Sequence, residues 1–134
     1  MSDNRASRND SEIERITAIA DGDSDGPVLM LNLNRYSVAA GYPSGDNYKQ
    51  YMSLLEALLP QVDAKILWRR AVAGQPVGEQ PIDEILAAWY PSHRAFLELP
   101  KAPGGKQNFR LRRLCVEYAV IHRCPGNPVA VELA

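Results

Sequence analysis

The segment that most limits the fold is Trp89-Tyr90-Pro91-Ser92-His93-Arg94-Ala95-Phe96. Pro91 has no amide hydrogen for a sheet ladder, so the apolar run before it must end there. Ser92 follows at once, and its hydroxyl is suited to accept from an amide in the first turn of a helix. A strand therefore passes straight into a helix running through Phe96 to Leu99. That helix has to pack back on the sheet it has just left.

The rest of the chain supplies the partners. Ser11 and Glu14 have the spacing of a capping box for a short helix whose stripe is Ile13, Ile16 and Ala20. Asp21 to Gly26 is a polar loop, and Val28 to Asn34 reads as a first strand. Tyr48, Tyr51, Met52, Leu55, Leu58, Leu59 and Val62 recur at helical spacing over about 45–62, with Pro60 distorting the last turn. Ala64–Ala73 and Ile82–Tyr90 read as strands two and three. Lys106–Arg113 is a basic stretch with room for a helical turn. Leu114–His122 alternates cleanly as strand four, with Cys115 inside it.

The order is helix, then strand-helix-strand-strand-helix-strand, the split βαβ pattern of an α+β, ferredoxin-like antiparallel sheet. At 134 residues, with 46% hydrophobic residues, the chain suits one domain. We expect a tail over 1–10, a helix and loop over 11–26, the ferredoxin-like domain over 27–123 and a C-terminal tail over 124–134. There is no internal repeat.

Net charge is −1, so no basic field draws the chain to nucleic acid or to an acidic membrane. No stretch has the length of a membrane-spanning helix, and the polar start is not a secretory signal. Cys115 and Cys124 fit neither a disulfide framework nor a zinc motif; they read as reduced thiols, and the cytoplasm is the expected location. No metal site and no cofactor are expected. No phosphate loop or dinucleotide fingerprint is present.

Helices cover one face of such a sheet. The face carrying Val28, Met30, Asn32, Asn34, Cys115, Glu117, Ala119 and Ile121 is expected to be the other one. It is too apolar to be left in water, so a second copy is expected to cover it. Asn32, Asn34 and Glu117, joined by Arg70 of strand two and by Trp89 or Tyr90 of strand three according to register, make a half-apolar cavity with a few polar groups. Arg70 either holds a ligand carboxylate or phenolate or pairs internally with Glu117.

Several pieces in order resemble the domain-of-unknown-function family 1330 of the dimeric α/β barrel superfamily. They are Leu31-Asn32-Leu33-Asn34-Arg35-Tyr36, Tyr48-Lys49-Gln50-Tyr51, Trp68-Arg69-Arg70, Tyr90 to Phe96, and Arg110 or Arg113 before the last strand. The resemblance spans about Pro27 to His122 and implies the fold and a homodimer. It leaves activity open.

Tyr90 and His93 are the candidate catalytic residues, framing the mouth of the cavity; an exposed histidine at a helix start is the plainer account of His93. Asn32, Asn34, Trp68, Arg70 and Glu117 are the candidate ligand contacts. His122 reads as a core-edge residue, and Ser92 as a cap rather than a nucleophile. Some dimeric α/β barrels degrade haem with an asparagine, a tryptophan and a histidine. Asn32, Trp68 and His93 occur here in that chain order, which raises haem as a lesser alternative. The leading expectation is a dimer that binds a small organic molecule, as a cofactor-independent oxygenase or an isomerase-type tailoring enzyme. A non-catalytic structural dimer is the alternative.

Overall fold

The computed structural model describes residues 8–127. Helix α1 (Asp10–Asp21) precedes strand β1 (Val28–Tyr36), helix α2 (Asp46–Leu58), and strands β2 (Lys65–Ala71) and β3 (Glu84–Tyr90). Helices α3 (His93–Glu98) and α4 (Gly105–Cys115) then lead into β4 (Val116–Pro125). The sheet order is β2-β3-β1-β4 with every neighbouring pair antiparallel. The fold is therefore α+β with the ferredoxin-like βαββαβ order and an added N-terminal helix, as expected. Among the described residues no helix is long and apolar enough to cross a membrane.

Local signals act where they stand. Ser92 accepts from the amide of Ala95 at 3.0 Å and opens α3. Pro60 falls in a 3₁₀ turn, Leu59–Val62, which ends α2 early. At the first helix the expectation fails. Asn9 holds the cap position without a side-chain cap bond. Ser11 lies inside the helix, and its hydroxyl donates to Asn9 Oδ1 at 2.9 Å, so the capping box does not form. The basic stretch is a full helix, α4. Cys115 is its last residue, not part of strand four, and β4 runs on to Pro125.

The core lies between the sheet and the helices in two clusters. One joins Tyr36, Tyr48, Tyr51, Met52, Leu86, Cys115 and Val116. The other joins Ile16, Val28, Met30, Leu59, Ala88, Tyr90 and Ala95. Burying side chains such as Met30, Leu58, Leu59 and Leu86 contributes about 1.5–3 kcal/mol each.

This arrangement exchanges the two expected sheet faces. Val28, Met30, Asn34 and Ala119 pack under the helices, and Leu29, Leu31 and Leu33 are the half-buried residues of the other face. Register carries the exchange through the sheet: Leu31 pairs with Ala87 and His122, and Leu33 with Ile85 and Val120. The physical reason is that β1 is apolar on both sides, so alternation alone does not distinguish them. The deciding residues are Tyr36, Leu86 and Tyr90, whose bulk fills the space beneath the helices.

Candidate functional site

Strand β3 begins with an acidic residue on its helix-facing side. Glu84 alternates with Leu86, Ala88 and Tyr90, stands opposite Asn34 of β1, and is only 5% exposed. A buried carboxylate needs donors, and phenols supply them. Tyr36, two residues beyond Asn34, donates to Glu84 Oε1 at 2.6 Å. Tyr48, in the first turns of α2, lies 2.8 and 2.9 Å from the two carboxylate oxygens. Arg69 of β2 donates to the Tyr48 hydroxyl at 2.9 Å, and its Nη1 sits 3.8 Å from Glu84 Oε2.

Tyr42 closes the group. It stacks on Tyr36 with centroids 4.9 Å apart and meets Tyr48 edge-on at 4.8 Å. The chain reaches it through a tight corner in which a side chain on Gly45 would strike the Ala40 carbonyl oxygen at 2.6 Å. Burial, then the hydrogen bond to Glu84, push the phenols of Tyr36 and Tyr48 well above their ordinary range. Both stay protonated donors at neutral pH.

Asn34 joins the cluster from β1, opposite Glu84. Its Nδ2 lies 3.4 Å from the Tyr36 hydroxyl, while its Oδ1 is buried with no partner among the described residues. From Arg69 outward, a depression of about 350 Å³ runs between the end of α2 and the β2 edge, lined by Leu59, Ala64, Ile66 and Trp68 with Glu56 and Lys65. Its lining joins apolar side chains to the charged Glu56, Lys65 and Arg69.

The sequence candidates distribute unevenly around this centre. Asn34 is in it. Trp68, 47% exposed, lines the outer depression. Asn32 lies on the same face, and its amide donates to the Met30 carbonyl at 3.0 Å. Arg70 stands opposite Ile85 on the opposite face, so Arg70 and Asn34 do not meet. Glu117 is the extra residue of a β-bulge and pairs with Arg35 at 2.9 Å, not with Arg70. Tyr90 is buried in the second core cluster with its ring edge-on to Phe96.

His93 is 3% exposed, the opposite of a surface histidine. Its Nδ1 is 3.0 Å from Asp25 Oδ1, and its backbone amide donates to the same oxygen at 2.7 Å. Burial works against the Asp25 carboxylate, but the amides of His93 and Arg94 and the His93 ring hold its pKa below the ordinary value. Arg123 of β4 stands on the other side of the ring, with Nη1 3.5 Å from Nε2. Trp68 on β2 and His93 against β4 therefore sit at opposite edges of the sheet, about 14 Å apart by strand spacing. Asn32, Trp68 and His93 do not form one site.

Glu84, Tyr36, Tyr48 and Arg69 escaped the sequence reading. A signal existed for Glu84: it is the single charged residue in alternation with Leu86, Ala88 and Tyr90. Tyr36 and Tyr48 had none, because a core tyrosine and a site tyrosine share one pattern.

No protein-family model and no curated protein matches the chain. Solved structures do. A protein of unknown function from Rhodopseudomonas palustris, RPA0582, is 24% identical over 94% of this chain and 100% of its own, with a TM-score of 0.75. A dabb family protein with a ferredoxin-like fold from Mesorhizobium loti is 11% identical over 78% of this chain and 99% of its own, at 0.52. A dimeric ferredoxin-like protein of unknown function from Thermobifida fusca is 14% identical over 77% and 93%, at 0.51. These likenesses establish the ferredoxin-like fold.

Proposed function

We propose that the chain works as a cytoplasmic homodimer of the dimeric α/β barrel type, in domain-of-unknown-function family 1330, and binds a small organic molecule beside Glu84. The observation that carries the ligand site is Asn34 Oδ1, a buried acceptor without a donor among the described residues, next to a buried carboxylate. A ligand hydroxyl or amide reaching inward from the β2 depression supplies that donor. Arg69 holds an anionic or phenolic group at the rim, and Trp68 and Ile66 cover its apolar body. Glu84, positioned by Tyr36 and Tyr48, takes a proton from one atom of the bound molecule and returns it to another, and Arg69 stabilises the negative charge left on the molecule in between. The reaction class is cofactor-independent proton transfer of the isomerase type.

The dimer is supported by the Leu29, Leu31, Leu33 face, which is apolar and left half-buried, and by the dimeric neighbour from Thermobifida fusca. The cytoplasm is supported by two free cysteines.

A second reading has its own observation. Both Glu84 oxygens already have partners, and Arg35 closes on Glu117. A structural dimer with self-satisfied polar groups fits those contacts. Native mass spectrometry of the purified protein, with thermal shifts against a panel of phenols and small enols, separates the two. A stoichiometric ligand or a shift abolished by Asn34→Ala and Arg69→Met supports the binding site. A panel with no shift in the wild-type protein favours the structural dimer.

A further inference from the structure

Arg123 of β4 stands opposite Met30, and its guanidinium meets α1. The edges of that guanidinium are used unequally. Nη2 donates to Glu12 Oε1 at 2.9 Å. Nε, on the same edge, is buried and has no partner among the described residues. The Nε–Nη2 edge is the fork that grips a carboxylate through two parallel hydrogen bonds. Here one carboxylate oxygen fills half of it.

The fork is also held in place from behind. His93 is almost fully enclosed, and its Nε2 faces Arg123 Nη1 at 3.5 Å. The Asp25 carboxylate at Nδ1 favours the tautomer that keeps the proton there, which turns the Nε2 lone pair to the arginine. The resident carboxylate is less anchored. Glu12 belongs to α1, a helix outside the βαββαβ core that buries one residue fully, Ile16. Its side chain is 34% exposed, so it enters from the solvent side.

We propose that Arg123, oriented by His93 and Asp25, is a binding site for the carboxylate of a small organic ligand, and that Glu12 occupies it in cis. A free carboxylate whose two oxygens span Nε and Nη2 makes the bond that Glu12 leaves unmade and displaces it. This site lies at the β4 edge of the sheet, across from the Glu84 cluster at the β2 side, and does not depend on it.

The chain has two histidines, so the ring Cε1–H resonances report the site, with His122→Gln assigning them. Sodium acetate is titrated into the wild-type protein, Glu12→Ala, and Glu12→Ala with Arg123→Lys, with chloride replaced to keep ionic strength constant. Removing a competitor tethered at millimolar effective concentration is expected to lower the half-saturation for the His93 shift about tenfold in Glu12→Ala. Lysine, a point donor without a fork, is expected to abolish the shift in that background. Equal titrations of wild type and Glu12→Ala, no shift in Glu12→Ala, or the same shift with chloride alone would overturn the proposal. If the double variant does not fold, the wild-type and Glu12→Ala comparison decides.

Discussion

The Glu84 cluster makes a sharp prediction for Tyr36→Phe, because the sign of its effect depends on a second residue. In the wild-type protein the Tyr36 hydroxyl donates to Glu84 Oε1 at 2.6 Å in a buried setting. A hydrogen bond to a charged group contributes about 1.5–3 kcal/mol. Oε1 keeps Tyr48 at 2.8 Å, so the loss belongs near the middle of that range, about 2 kcal/mol. In a Glu84→Leu background the same hydroxyl is a buried donor without its acceptor. Removing it is then neutral or stabilising by up to about 1 kcal/mol, since replacing both partners by apolar groups restores a satisfied core.

The interaction energy between the two sites is therefore about 2–3 kcal/mol, at the upper end for residues in contact. Urea unfolding reads it directly. With a slope of about 2 kcal/mol per molar, Tyr36→Phe lowers the wild-type midpoint by about 1 M. In the Glu84→Leu background the midpoint stays or rises. All four proteins are compared at one protomer concentration, because the proposed dimerisation would shift apparent stability. An equal loss in both backgrounds would refute the claim that the phenol and the carboxylate act as a pair.

Three further outcomes follow from named contacts. Tyr36 and Tyr48 have folded pKa values raised above the ordinary 10.0. Their contribution is thus complete below the unfolded pKa and is lost as pH rises beyond it, by about 1.4 kcal/mol per pH unit for each phenol. Urea midpoints above pH 10 should fall less steeply in a Tyr36→Phe/Tyr48→Phe double variant. Asp25 has a lowered folded pKa, so its contribution is present above the unfolded value and fades as pH falls. Asp25→Asn should be the less stable protein at pH 7 and show a flatter decline between about pH 5 and pH 3, read by circular dichroism melts. Leu31→Asp places a charge on the open sheet face; light scattering after size exclusion is expected to report the proposed dimer for the wild-type protein and a monomer for the variant.

The order of elements was legible because each depends on local chemistry. Pro91 and Ser92 sit side by side, Pro60 marks the end of α2, and the tyrosines and leucines from Tyr48 to Leu58 keep helical period. None of these needs knowledge of what packs against it. The polarity of the sheet does. Val28 and Met30 are no more apolar than Leu29 and Leu31, so the side of β1 that faces the helices is set by distant residues on β3 and α2. That single ambiguity turns the residues of β1, and those of β4 beyond its bulge, to the other side together, as a period of two requires, while Val116 before the bulge stays under the helices.

The same ambiguity explains the uneven reading of polar residues. Plain alternation from Ile66 puts Arg70 on the face of Asn34; the bulge at Leu67 shifts Arg70 to the opposite face and parts them. A buried polar cluster is assembled from positions whose partners are far apart in the chain, here Tyr36, Tyr48, Arg69 and Glu84. Each alone has a plain structural role. What identifies them jointly is satisfaction of hydrogen bonds, a three-dimensional count. On that count the molecule is uneven in an informative way. Glu84 is surrounded by donors, while Asn34 Oδ1, Asn108 Nδ2 and Arg123 Nε are buried without partners among the described residues. An unmade bond on a rigid framework is where a ligand gains most from binding, because the cost of desolvating the protein group has already been met in folding. Of these, Asn34 and Arg123 lie on β1 and β4 and call for opposite chemistry, a donor at Asn34 and an acceptor at Arg123. The group that satisfies one does not satisfy the other, so single substitutions at Asn34 and at Arg123 separate the two sites by experiment.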